Sequence, residues 1–135
     1  MKLLDEKQLL NAALEVREHA YAPYSNFAVG AAILDEAGRI HSGCNVENAA
    51  YPQGQCAEAN AIGAMRAGGG LRIIAIAIAG PQGRPCPPCG GCRQRIREFA
   101  GPDTLILLGD ATGVNARYSM ADLLPHSFGP DALNS

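Results

Sequence analysis

Thiols crowd at one point of this sequence. Cys86, Cys89 and Cys92 fall within seven residues, and a further cysteine, Cys56, stands two residues before Glu58 in Cys56-Ala57-Glu58. With Cys44 the count is five, and an odd number in a chain of cytosolic character argues against a disulfide framework and for metal or redox chemistry. In Pro88-Cys89-Gly90-Gly91-Cys92 the two thiols are three apart, so within one helical turn they share a face. The residues that follow, RQRIREF, make a good helix, and so do those after Cys56. Both segments therefore open helices after loops. A fold that uses them together must set two helix N-termini side by side.

The rest of the chain reads as alternating helix and strand. Residues 5–20 carry Leu9, Ala12, Ala13, Val16 and Ala20 at helical spacing, with Asp5 as cap and the Pro23 region as stop. FAVGAAIL (27–34) and residues 39–44 are strands joined by a turn over Asp35 to Gly38, a hairpin. A helix is expected from about Cys56 to Ala67, ended by Gly68-Gly69-Gly70. LRIIAIAIA (71–79) is an isoleucine-rich strand buried on both faces. A Pro/Gly loop over 80–88 leads to a helix from about Cys89 to Phe99. TLILL (104–108) is the next strand, and a short strand near Tyr118 precedes a short helix near Met120 to Leu124. The reading is one α/β domain over residues 1–135, a three-layer α/β/α arrangement with a mixed five-stranded sheet.

Helix N-termini carry partial positive charge and free N–H groups, which predicts lowered thiol pKa values at Cys56, Cys89 and Cys92. Three thiolates around Zn²⁺ leave a fourth tetrahedral position for water, the pattern of a catalytic rather than a closed structural site, and thiolate ligands favour zinc. On a regular helix Glu58 lies about 200° round from Cys56, so their side chains meet only beyond the helix end. A carboxylate there can take a proton from activated water and pass it to a leaving amine. A His or Cys two residues before a Glu, followed later by P-C-x-x-C, is the known signature of zinc deaminases. Other readings stand beside this one. Cys86-Pro-Pro-Cys89 is also a C-x-x-C, although its prolines prevent a helical turn with N–H donors. A structural zinc knuckle would draw a fourth ligand from Cys44, Cys86 or His41, but gives Glu58 no reason to stand there. A redox pair requires neither the third cysteine nor the glutamate.

Beyond these motifs the chain resembles the small cytidine deaminases that carry three cysteine zinc ligands. AYAPYSNFAVGAA (20–32), GCNVENAAY (43–51), CAEANA (56–61), PCGGCRQ (88–94) and LLPHSFGPDAL (123–133) fall in that family's order and spacing, over nearly the whole chain. The resemblance implies a cytidine-deaminase-like fold, one Zn²⁺ per subunit on Cys56, Cys89 and Cys92, and proton transfer by Glu58. It implies that Phe27 stacks on the pyrimidine and that Asn45 and Glu47 hold the ribose, chiefly its 3′-hydroxyl. Core packing and a polar turn are what these three residues suggest alone, although Asn45 and Glu47 do share a face of an extended segment. Backbone N–H groups around Ala57 and Glu58 would read the base edge. The implied reaction is hydrolysis of cytidine and 2′-deoxycytidine to uridine and 2′-deoxyuridine plus ammonia, in pyrimidine salvage. The implied assembly is a homotetramer with Tyr51 and Phe128 near subunit contacts. Three thiolates and one Zn²⁺ sum to −1, and Arg93, next to Cys92, is expected to offset this by donating to a thiolate. Many relatives carry a second arginine directly after Cys-Ala-Glu, where this chain has Ala59.

Composition narrows the rivals. The net charge is −2, and a basic stripe with interleaved aromatics, the footprint of nucleic-acid binding, is missing, which argues against a nucleic-acid editing deaminase. No run of eighteen apolar residues predicts a membrane span. The acidic, amphipathic start lacks the pattern of a secretory leader, so a cytoplasmic location is expected. A deaminase of a cytosine-containing antibiotic shares the zinc motif, but Asn45 and Glu47 argue against it. A non-enzymatic zinc-binding interaction module remains open at this point.

Overall fold

The computed structural model describes residues 4–133. Helix α1 (Glu6–Arg17) is capped by Asp5, whose carboxylate accepts from the Gln8 N–H at 3.0 Å. The hairpin β1 (Gly30–Asp35) and β2 (Ile40–Cys44) follows, then α2 (Ala57–Ala67), β3 (Ile73–Ala79), α3 (Gly90–Phe99), β4 (Ala100–Asp110), β5 (Gly113–Ser119), α4 (Met120–Leu123) and α5 (Pro130–Leu133). The strands lie in the order β2-β1-β3-β4-β5, with β3 and β4 parallel and the other pairs antiparallel. This is the expected mixed five-stranded sheet.

Strand β3 shows how the layers form. Its sequence IIAIAIA alternates large and small residues, and a strand sends successive side chains to opposite faces. Ile76 and Ile78, and Ile73 across a register shift before Ala75, join Ala61, Ile62 and Met65 of α2, Ile96 of α3 and Met120 and Leu123 of α4 on one face. Ala75, Ala77 and Ala79 face Leu9, Leu10 and Ala13 of α1 on the other. Each buried isoleucine contributes about 2 kcal/mol, while the alanines let α1 come close. The approach is tight: a Cβ on Gly30 would stand 2.0 Å from the Ala13 carbonyl oxygen. On the opposite face Gly43 of β2 seats α2, since a Cβ there would be 2.4 Å from the Ala61 amide nitrogen. These two glycines seat α1 and α2 on opposite faces, and Ile96 packs α3 on the same face as α2.

Several boundaries differ from expectation. Helix α1 ends at Arg17 rather than Ala20, because the next amides bond three residues back instead of four and Tyr21 then pairs with Val46. Residues 27–29 precede β1 instead of opening it. The Asn45 side chain holds them, accepting from the Val29 N–H at 2.9 Å and donating to the Phe27 carbonyl at 2.8 Å. Leu71 and Arg72 lie outside β3, their amides both donating to Glu36 Oε1. Strand β4 starts at Ala100, hidden in the sequence by Gly101-Pro102, which fall where its register against β3 shifts. Strand β5 is seven residues rather than a fragment near Tyr118; at the sheet edge its outer face needs no apolar alternation.

Asp35, expected in the turn, is the buried last residue of β1. Burial pushes its carboxyl up. Hydrogen bonds from His41, from the Arg39 and Ala37 amides, and the Arg39 charge outweigh that and hold it at about 2. His41 Nε2 lies 2.8 Å from this carboxylate, which commits the imidazole to the hairpin turn.

Candidate active site

Cys56 is the N-cap of α2, Cys89 is the N-cap of α3, and Cys92 lies in the first turn of α3. Their sulfur atoms all lie within 4.8 Å of one another. Cys56 has extended backbone (φ −75°, ψ 155°), so the helical turn that would set it and Glu58 on opposite sides does not apply to it. Glu58, in the first turn of α2, is 6 % exposed. Cys86 stands outside the sulfur cluster, packed on Gly80 and the apolar core, and Cys44 and His41 are not in it either. Among the described residues the cluster therefore offers three ligands, not four, and uses Cys89 with Cys92 rather than Cys86 with Cys89.

The electrostatics of the cluster call for a cation. Burial pushes the Cys92 thiol strongly up, and the negative charge on Glu58, Cys56 and Cys89 adds to this. Cys56 is raised by burial first and by Glu58 and Cys89 next. Cys89 alone is lowered, chiefly because the Cys92 amide donates to it. Lowered values at all three cysteines were expected from the helix N-termini. Two of the three run the other way, because burial and mutual repulsion exceed the helix-end field. Three soft donors that repel one another when ionised, gathered at one point, fit a thiophilic divalent cation such as Zn²⁺. Glu58 itself is raised by burial, opposed by a backbone hydrogen bond, the Cys92 side chain and the Arg95 charge.

The model of the cytidine and deoxycytidylate deaminase zinc-binding region matches residues 4–108. The chain belongs to the cytidine deaminase family. It is 42 % identical to the cytidine deaminase of Mycobacterium tuberculosis over 130 residues, 96 % of this chain and 94 % of that one. Against the cytidine deaminase of Halalkalibacterium halodurans it is 39 % identical over 131 residues, 97 % and 99 % of the two chains. The crystal structure of cytidine deaminase from Burkholderia pseudomallei superposes with a TM-score of 0.86 at 42 % identity, covering 93 % of this chain and all of the other. The three cysteines of this deaminase thus fall in a family whose defining region binds zinc.

The loop that runs into Cys56 is built from three pieces of chain. Val46 and Gln55 exchange both backbone hydrogen bonds at 2.9 Å, and Tyr21 bridges to Val46 from the other side. Val46, between Asn45 and Glu47, is thus paired with the residue that precedes Cys56 of the sulfur cluster. Asn60 of α2 adds a tie, donating to the Cys44 carbonyl at 2.7 Å. Glu47 accepts from the amides of Tyr24 and Ser25 and from the Ser25 hydroxyl; that hydroxyl is the first cause that holds its carboxyl below the usual range. A cleft of about 400 Å³ opens here, lined by Tyr24, Ser25, Glu47, Asn48, Tyr51 and Gly54. Ala57 is buried, whereas Phe27 is 44 %, Tyr51 74 % and Phe128 60 % exposed.

Arg93 does not reach a sulfur. Its guanidinium donates to the carbonyls of Pro88 at 2.8 Å and Leu123 at 3.0 Å, tying the loop before Cys89 to α4. A residue one step past Cys92 is turned about 100° away from it on a helix, which is why the expected contact fails. Arg95, three steps on, returns to the same face, and its Nη1 lies 3.6 Å from Cys92 Sγ. The sequence carried the signal in the C-x-x-C-x-x-R spacing.

Proposed function

We propose that the chain hydrolyses cytidine and 2′-deoxycytidine to uridine and 2′-deoxyuridine plus ammonia, with one zinc per subunit held by Cys56, Cys89 and Cys92. The observation that carries this reading is the junction of three sulfurs within 4.8 Å and a buried carboxylate, Glu58, on the adjoining helix start. Zinc, when bound, supplies Lewis acidity that makes water a nucleophile at neutral pH. Glu58 takes a proton from that water and delivers it to N3 of the ring, which makes C4 electrophilic. After the water oxygen has added to C4, Glu58 relays a second proton to the amine, and the C4–N bond breaks to release ammonia. The buried setting suits a carboxyl that must both accept and donate.

Phe27, exposed at the loop, offers a face for the pyrimidine, and the Ala57 and Glu58 amides at the start of α2 offer donors to the base edge. Asn45 keeps one amide hydrogen and Glu47 keeps lone-pair capacity after their loop contacts, so each can bond a ribose hydroxyl. Arg93 supports the site indirectly, by holding the loop before Cys89. The exposed Tyr51 and Phe128 support a homotetramer that buries them near the sites. No described helix is long and apolar enough to cross a membrane. A place in cytoplasmic pyrimidine salvage fits this chemistry.

The test is to compare nucleosides with the free base. Cytidine and deoxycytidine are expected to turn over, and cytosine, which lacks the sugar, to show a kcat/KM at least about 100-fold lower, since remote binding energy drives the chemical step. Equal turnover of cytosine would contradict the roles of Asn45 and Glu47.

A further inference from the structure

The thiolate cage leaves a charge that its own members do not balance. Three thiolates and a divalent cation sum to −1. Negative charge gathered in a partly dry place weakens the acidity a metal can confer and raises the cost of keeping every thiol ionised. The nearby cations are mostly committed elsewhere. Arg93 is spent on the Pro88 and Leu123 carbonyls, and Arg97 on Ser127 and Asp131. Ala59, in the first turn of α2, brings no charge. Among the described residues, Arg95 is the one cation whose nitrogen makes a hydrogen bond to a cluster sulfur, with Nη1 3.6 Å from Cys92 Sγ.

The helix dictates this contact. Cys92 and Arg95 are three residues apart within α3, so they share a face, with the cysteine in the first turn and the arginine one turn behind. The exposed stem of Arg95 lets the guanidinium fold back toward the N-terminus, the direction in which helical side chains lean. We propose that Arg95 is a positioning residue of the metal centre. Its guanidinium donates to the Cys92 sulfur, fixes that ligand's orientation and offsets the excess negative charge of the cage. The inference rests on Cys56, Cys89 and Cys92 being the zinc ligands.

The test uses the full chain as wild type, Arg95→Met and Arg95→Lys. Zinc affinity is measured by competition with a chromophoric chelator, and the sulfur-to-metal charge-transfer band is recorded after cobalt substitution. Arg95→Met is expected to weaken zinc binding by about 10- to 100-fold and to shift the cobalt band, whereas Arg95→Lys keeps affinity within about threefold. The metal-free Met variant should melt where the metal-free wild type does, because its exposed stem packs little. Zinc affinity and a cobalt spectrum in Arg95→Met equal to wild type would overturn the proposal. So would a drop in metal-free stability with zinc affinity unchanged, which would make Arg95 merely structural. A wild-type chain that binds no zinc would overturn the ligand reading, and the role of Arg95 with it.

Discussion

Glu58→Ala is expected to retain zinc and to lose nearly all turnover of cytidine. The three sulfurs are supplied by Cys56, Cys89 and Cys92, so removing a carboxylate that is not a ligand leaves the cage intact. What disappears is the shuttle for every proton in the reaction, from water to N3 and from the adduct to the amine. General acid–base catalysis by one group is worth up to about 10⁴-fold, and one group serving several transfers belongs at the upper end of that range. Glu58→Gln keeps the shape and still cannot carry a proton, so it should fall as far. Burial explains why water does not substitute: at 6 % exposure the position has little access to bulk solvent. The check pairs kcat from the ultraviolet change on cytidine with metal content of the same sample. A Glu58→Ala enzyme at wild-type rate would remove Glu58 from the mechanism; loss of zinc with the activity would place it in the cage instead.

Cys92→Ala is expected to release the metal and abolish activity together. Cys92 is the most enclosed of the three clustered cysteines, 1 % exposed in the first turn of α3, and a metal held by all three would join α3 to the Cys56 end of α2. With two sulfurs left, the site cannot complete a tetrahedral set from protein donors, and metal content should fall below about a tenth of stoichiometric. The melting temperature should fall as well, because a metal that binds only the folded chain stabilises it by mass action. Cys86→Ala provides the contrast. That thiol packs against Gly80 and the core outside the cluster, so its loss costs some stability but no zinc. If Cys86→Ala emptied the site and Cys92→Ala did not, the ligand register would be Cys86 with Cys89.

Much of this site was legible because its parts are local. Cys56 and Glu58 are two apart, Cys89 and Cys92 three apart, and each pair opens a helix that the flanking residues favour. The isoleucine and alanine alternation of β3 likewise declared a strand buried on both faces. What stayed hidden depends on tertiary partners. The pairing of Val46 with Gln55, which ties the Asn45–Glu47 segment to the residue before Cys56, links segments with no local pattern in common. The start of β4 at Ala100 rests on a single contact with Ile73 across a register shift, behind Pro102. Sequence adjacency pointed to Arg93 as the thiolate partner, whereas helical geometry selects Arg95. The thiol pKa directions failed for a similar reason: the helix-end field is local, but burial and the charge of the other two cysteines come from the assembled fold.

The central claim is that the three-sulfur cage and Glu58 together deaminate a cytosine nucleoside through zinc. Its most direct test is a single titration. The purified chain is stripped with a strong chelator, mixed with cytidine, and followed by ultraviolet absorbance while zinc is returned in steps. The expected result is no conversion by the metal-free protein, then uridine formation that rises in proportion to zinc and levels off at one zinc per chain. Conversion that persists without metal, or a folded, fully zinc-loaded protein that leaves cytidine untouched, would contradict it.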